Sequence, residues 1–118
     1  MNNLRLGSLA EDWVAKYLTS KGYKLLARNY GKKYFELDII AFKARCLCFV
    51  EVKYRKHPID AEPSKLINKR KLHQIKTGGL TWLKNHQEYS DCLLRIDLVT
   101  VVGEIGWPEI THYLDISS

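Results

Sequence analysis

Two carboxylates and a lysine, Asp38, Glu51 and Lys53, interrupt the apolar stretch DIIAFKARCLCFVEVK, with Glu36 a further acid two residues before it. Twelve residues separate Asp38 from Glu51, and Lys53 follows Glu51 by two. The neighbours Ile39, Ile40, Phe49, Val50 and Val52 are apolar at both parities, which is the pattern of strands covered on both faces. Acids set into such strands are costly unless they are paired or bound to a cation. The set therefore suits a divalent metal site. Magnesium keeps several waters and commonly takes only one or two protein carboxylates, so Asp38 and Glu51 suffice, with the Val52 carbonyl as a further ligand. Such an ion binds a phosphate oxygen and lowers the pKa of a bound water. Lys53 beside it would stabilise negative charge on the nucleophile or the phosphorus, which makes phosphodiester hydrolysis the indicated chemistry. The plain structural alternative is an ion pair between Glu51 and Lys53.

Pairing of the two strands decides whether the acids meet. A two- or four-residue turn near Ala44-Arg45 sets Phe42 opposite Leu47 and Ile40 opposite Phe49. Asp38 then faces Glu51 and Glu36 faces Lys53, all four on one face of the sheet. A three-residue turn would shift the pairing by one and turn the facing residues to opposite sides.

The elements that must position this hairpin follow from periodicity. Leu9, Trp13, Val14, Tyr17 and Leu18 predict a helix over Ser8–Ser20, stopped by Gly22. Ser8 and Glu11 form a capping-box pattern, so Glu11 has a structural role open to it beside a catalytic one. Strands are predicted at Tyr23–Asn29, Phe35–Phe42, Cys46–Tyr54, Cys92–Val102 and Glu109–Leu114. A basic helix is predicted from Ser64 to His86 with Ile67, Leu72, Ile75, Trp82 and Leu83 buried. Gly78-Gly79 inside it marks either a break or a close approach to the sheet. The first three strands should be antiparallel neighbours, and a helical crossover should return the fourth parallel to the third. The result is one α/β domain over residues 1–118, of order αβββαββ, with a mixed central sheet flanked by helices.

Charge is uneven. Nineteen Lys and Arg oppose thirteen Asp and Glu, and Lys53–Lys76 holds eight of the cations but only Asp60 and Glu62 of the acids. The rest of the chain carries eleven of each sign, so the whole net charge of +6 lies directly after the acidic hairpin. This favours a polyanionic partner, most simply nucleic acid. Lys69, His73 and Lys76 share the helix face opposite the buried stripe, and Lys32, Lys33, Arg55 and Lys56, with Arg28, would extend it toward phosphates. Cys46, Cys48 and Cys92 lack metal-ligand spacing and read as small hydrophobes. There is no apolar run long enough to span a membrane and no signal-like N-terminus, so a cytoplasmic protein is expected.

Asp38 with Glu51-Val52-Lys53 resembles the core of the PD-(D/E)xK, restriction-endonuclease-like superfamily. More closely, the chain resembles the YraN family of bacterial predicted endonucleases over nearly its whole length. The resemblance rests on Gly7, Ala10-Glu11, Tyr17-Leu18, Gly22-Tyr23, Arg28-Asn29-Tyr30, Glu36-Leu37-Asp38-Ile39-Ile40-Ala41, Phe49-Val50-Glu51-Val52-Lys53, Arg55, Lys71, Trp82-Leu83 and Arg95-Ile96-Asp97. It implies a restriction-endonuclease-like fold, Asp38, Glu51 and Lys53 as the catalytic set, and Glu11 as a further acid at the metal. It implies a DNA endonuclease using Mg2+, with Mn2+ as substitute, and branched or structured DNA as a candidate substrate. The layout is also similar to archaeal Holliday-junction resolvases, which implies a homodimer. Phe35 stands where the family usually has glycine, and the glycine-containing loop after the third strand is absent from Arg55–Pro63. The alternative is a nucleic-acid-binding module that keeps the fold without cutting.

Overall fold

In the computed structural model, which describes residues 3–31, 35–58 and 60–117 (the side chains of Asn3, Leu4 and Ser64 excepted), the first apolar stripe forms helix α1 (Asn3–Ser20). It buries Ala10, Val14, Ala15 and Leu18, residues spaced so that they fall along one face. Gly22 ends it at φ +90°, a conformation open to glycine, and the Tyr23 N–H returns to the Leu18 carbonyl at 3.0 Å. The helix begins five residues before the expected Ser8. Ser8 is therefore an interior residue, and the capping-box reading of Ser8 and Glu11 is corrected: there is no helix start there for Glu11 to cap.

Strands β1 (Lys24–Tyr30), β2 (Leu37–Lys43), β3 (Cys46–Arg55), β4 (Leu93–Val102) and β5 (Glu109–Tyr113) form one sheet in that order. The β3–β4 pair is parallel and the other three are antiparallel, as the connection lengths predict. The β2–β3 turn has two residues, Ala44 and Arg45, at φ +51° and +64°. Positive φ at both positions suits the right-handed twist of a hairpin. Phe42 accordingly faces Leu47, and Ile40 faces Phe49.

α1 covers one face of the sheet, over Ile39, Ala41, Cys48, Val50, Val99 and Val101. The other core joins Ile40, Leu47, Phe49 and Ile96 to Ile75 and Trp82 of helix α3 (Lys69–Lys84). The expected single helix from Ser64 to His86 is two. A short α2 (Pro63–Leu66) is followed by an extended, buried Ile67, and Asn68 then restarts the helix by accepting the Lys71 N–H at 2.8 Å. Gly78 and Gly79 do not break α3. They let its backbone approach the sheet: a Cβ on Gly78 would stand 2.6 Å from Phe35 Cδ2, and one on Gly79 would run into the Phe49 ring. All three cysteines are free, and Cys48 is fully buried, with burial the chief reason its thiol is pushed up to about 12. No helix among the described residues is long and apolar enough to cross a membrane.

Candidate active site

Asp38 and Glu51 meet where β2 and β3 separate. The paired ladder stops at Ile39 and Val50, and one residue further the Asp38 carboxylate accepts the Val52 N–H at 2.8 Å. A side chain thus takes over the hydrogen bond that a continuing strand would have made, and both carboxyls are left beyond the last ladder pair. Glu36 does not follow them. It lies before β2 and is exposed, so the expected cross-strand pair of Glu36 with Lys53 is corrected: the ladder ends too early to form it.

Glu51 is 6% exposed. Burial raises its carboxyl most, and the hydrogen bond to Asp38 and the charge of Asp38 raise it further. Lys71 and Lys53 oppose this, and the outcome is a value of about 8. The only cation that reaches it as an ion pair among the described residues is Lys71, with Nζ 3.5 Å from Glu51 Oε2. Lys53 is half-buried and acts on Glu51 through its charge. Glu11, on α1, also has a raised carboxyl; burial is the main cause and the charge of Asp38 the next. Arg28 Nη2 stands 3.9 Å from Glu11 Oε1 and bonds Asp12 Oδ1 at 2.8 Å. The structure therefore brings Asp38, Glu51, Lys53 and Glu11 into one electrostatic neighbourhood.

The donor set suits a hard divalent cation. Glu51, kept protonated by burial and by the neighbouring Asp38, is a group a metal would relieve, and magnesium commonly takes only one or two protein carboxylates. No group of three His, Cys, Asp or Glu side chains placed to hold a metal occurs among the described residues, and Glu11 is near enough to Asp38 for its charge to be felt. The Val52 backbone contributes its N–H to Asp38.

The cationic surface is spread more widely. Arg55 and Lys56 are exposed at the end of β3 that carries Lys53. Lys69 is exposed in the first turn of α3, close in sequence to Lys71, and His73 is exposed one turn on. Lys76 is exposed farther along, where it lines a cavity of about 250 Å3 with Phe49, Leu80, Leu94 and Ile96. Lys32 and Lys33 lie outside the described residues.

Lys71 is the residue that sequence reasoning left out of the site. Its reach to Glu51 depends on the rotation of α3, and that is fixed by Asn68. An asparagine in the middle of a presumed helix, an N-cap type, was the available signal. A second buried cluster also emerges. Asp97, fully buried, accepts from Arg95 Nε (2.8 Å) and Nη2 (3.0 Å) and from the Asp115 N–H (2.9 Å), and pairs with His112 Nε2 at 2.8 Å. Tyr17 and Tyr23 complete it through His112 and Arg95.

The family model described as "Uncharacterised protein family UPF0102" matches residues 10–101. A UPF0102 protein of Trichlorobacter lovleyi is 36% identical over 112 residues, covering 93% of this chain and 87% of the relative. One from Syntrophomonas wolfei is 33% identical over 113 residues, covering 96% and 97%. One from Bacteroides thetaiotaomicron is 36% identical over 107 residues, covering 91% and 87%. This is the family that the motif resemblance indicated. Its description assigns no activity.

Proposed function

We propose that this chain, which belongs to the uncharacterised protein family UPF0102, is a metal-dependent nuclease that hydrolyses phosphodiester bonds of DNA. The observation that carries this reading is the buried Glu51 beside the half-buried Asp38, set where two strands part, with Lys71 and Lys53 as the nearby cations. A purely structural use would leave the Glu51 carboxyl buried beside Asp38 at a cost in stability, with nothing gained for packing.

Asp38 and Glu51 would hold the metal, magnesium by donor type. When bound, that ion supplies Lewis acidity toward a phosphate oxygen and a more acidic water. The other roles belong to the chain. The Val52 N–H fixes one carboxylate oxygen of Asp38 and so orients the carboxylate. Lys53 stabilises negative charge as it develops at phosphorus. Lys71 balances Glu51 and can pass to a phosphate oxygen once the carboxylate is otherwise engaged. Glu11 keeps a proton more readily than an exposed glutamate, which suits it to exchange one with water near the site. Arg55, Lys56, Lys69 and His73 supply contacts along the backbone.

One observation favours the rival reading of a binding module that does not cut. Lys71 already offsets Glu51 without any ion. Incubation with forked, four-way and linear DNA in magnesium or manganese, beside Glu51→Ala, separates the two. Cleavage that requires the metal and disappears in the variant, with DNA binding retained, is expected. Equal cleavage by both proteins would sink the enzyme reading, and salt-sensitive binding without any cleavage would select the module.

A further inference from the structure

Trp107 is 88% exposed, whereas Trp82 is buried and Trp13 half-buried. An isolated exposed apolar side chain is ordinary. This one sits on a connection, Gly103–Pro108, that is held at several points. The Gly103 N–H donates to the Arg55 carbonyl at 3.0 Å, and Tyr54 Oη donates to the Gly103 carbonyl at 2.8 Å. Trp13 Nε1 donates to the Ile105 carbonyl, and Ile105 packs on the core beneath α1. The Trp107 N–H itself closes a turn onto the Glu104 carbonyl at 2.9 Å. The backbone is tied down while the indole is left in water.

The place of the loop gives this meaning. β3 and β4 run parallel with Arg55 beside Val102, so the loop leaves the sheet at the end where β3 carries Lys53. The exposed side chains of Arg55, Lys56 and His57 follow directly on the neighbouring strand end. An exposed flat ring on a loop anchored to the Arg55 backbone, at the sheet end that carries Lys53, matches a ligand with both phosphates and an uncovered aromatic face. Bases inside a duplex have both faces stacked. Bases that are unpaired, or that end a stack at a junction, do not.

We propose that Trp107 is a stacking platform for an unpaired or junction-terminal base of the DNA engaged at the Asp38–Glu51 site, and so selects structured over continuous duplex DNA. The inference rests on the nuclease reading and adds the substrate class. The cations hold the backbone of any DNA, and the ring adds affinity only where a base face is open. A rigid platform loses little freedom on binding, which is what the tied loop provides.

The test is equilibrium binding of the full chain to a fork with unpaired arms and to a blunt duplex of equal length, in calcium so that the DNA stays intact. Wild type, Trp107→Ala and Trp107→Phe are compared. The preference for fork over duplex should fall roughly 5- to 150-fold in Trp107→Ala, the span that one stacked base accounts for, and largely survive in Trp107→Phe. Unfolding midpoints of all three should coincide, since the ring is outside the core. An unchanged preference in Trp107→Ala, with magnesium-dependent cleavage still lost in Glu51→Ala, would overturn the platform and leave the nuclease standing. An unchanged preference accompanied by altered self-association would overturn it in favour of a protein contact. Absence of DNA binding by wild type would overturn both.

Discussion

Replacing Glu51 by glutamine should make the metal-free protein more stable at neutral pH while abolishing cleavage. In the folded chain Glu51 holds its proton to about 8, against an ordinary value of 4.5. The folded state therefore binds more protons than the unfolded state between those two values, so stability falls as pH rises through that window. The loss is nil below about 4.5 and complete above about 8. Each unit of separation corresponds to about 1.4 kcal/mol, so by pH 7 the penalty is of order 3 kcal/mol. That is a visible share of the roughly 5–15 kcal/mol that holds a domain together. Glutamine keeps the shape and can donate to Asp38 as the protonated acid does, but it has no charge to bury. Urea unfolding in the presence of a chelator, at pH 5, 6, 7 and 8, measures the effect. The two proteins should be close at pH 5 and diverge by a few kcal/mol at pH 8, with glutamine the more stable. Other titrating groups, Glu11 among them, are common to both proteins and cancel in the difference. Magnesium should then raise the wild type at pH 8 and leave the variant nearly unmoved. Parallel curves for the two proteins across this range would refute the reasoning, because Glu51 would not then be a buried acid pressed against Asp38.

Asp97→Asn should destabilise by about 3–5 kcal/mol, because the amide nitrogen would face groups that donate to the carboxylate, and Arg95 would lose its buried partner; chemical unfolding at neutral pH reads this directly. Burial opposes ionisation of Asp97, but the bonds from His112, Arg95 and the Asp115 backbone outweigh it and hold the carboxyl below its ordinary 3.8. Its contribution is therefore present above about pH 3.8 and fades as pH falls further, and the acid limb of the wild-type stability profile should flatten in the variant. Gly79→Ala should cost about 1–3 kcal/mol through overpacking against Phe49, seen as a lowered unfolding midpoint, and a neutral result would mean that α3 can lift from the sheet without loss.

The hairpin was legible because two apolar runs lie close together with only a short turn between them. The short connection near Ala44-Arg45 sets Phe42 against Leu47 and Ile40 against Phe49, and a turn one residue longer would have exchanged the face that meets α1 for the one that meets α3. The residue types of the turn gave no such help: Ala44 and Arg45 take positive φ without the glycine or asparagine that usually marks it. Turn length alone carried the register, and the structure has the two-residue turn. The misleading signals were local patterns detached from tertiary context. Ser8 and Glu11 have the spacing of a capping box but fall inside a helix that starts earlier. The apolar spacing from Ile67 through Leu83 runs across a break, because Ile67 is buried from an extended backbone and contributes to the core without being helical. The Asp97–His112 pair could not be read at all. It joins residues fifteen apart whose meeting depends on the β4–β5 register.

The break also explains a feature that conflicts with local preference. α3 opens with Lys69, Arg70 and Lys71 and has no acid in its first turn. Cations there oppose the positive end of the helix dipole, which ordinarily favours Asp or Glu. A helix continuous from Ser64 would have set these three residues in its interior, where the dipole is indifferent to them. Restarting at Asn68 gathers the dipole and three like charges at one point, with Lys71 Nζ 3.5 Å from Glu51 Oε2. Local rules are violated most often where function requires it. Here the concentrated positive end stands beside Glu51, so on the proposed nuclease reading a phosphate engaged there would offset what the isolated chain leaves unbalanced.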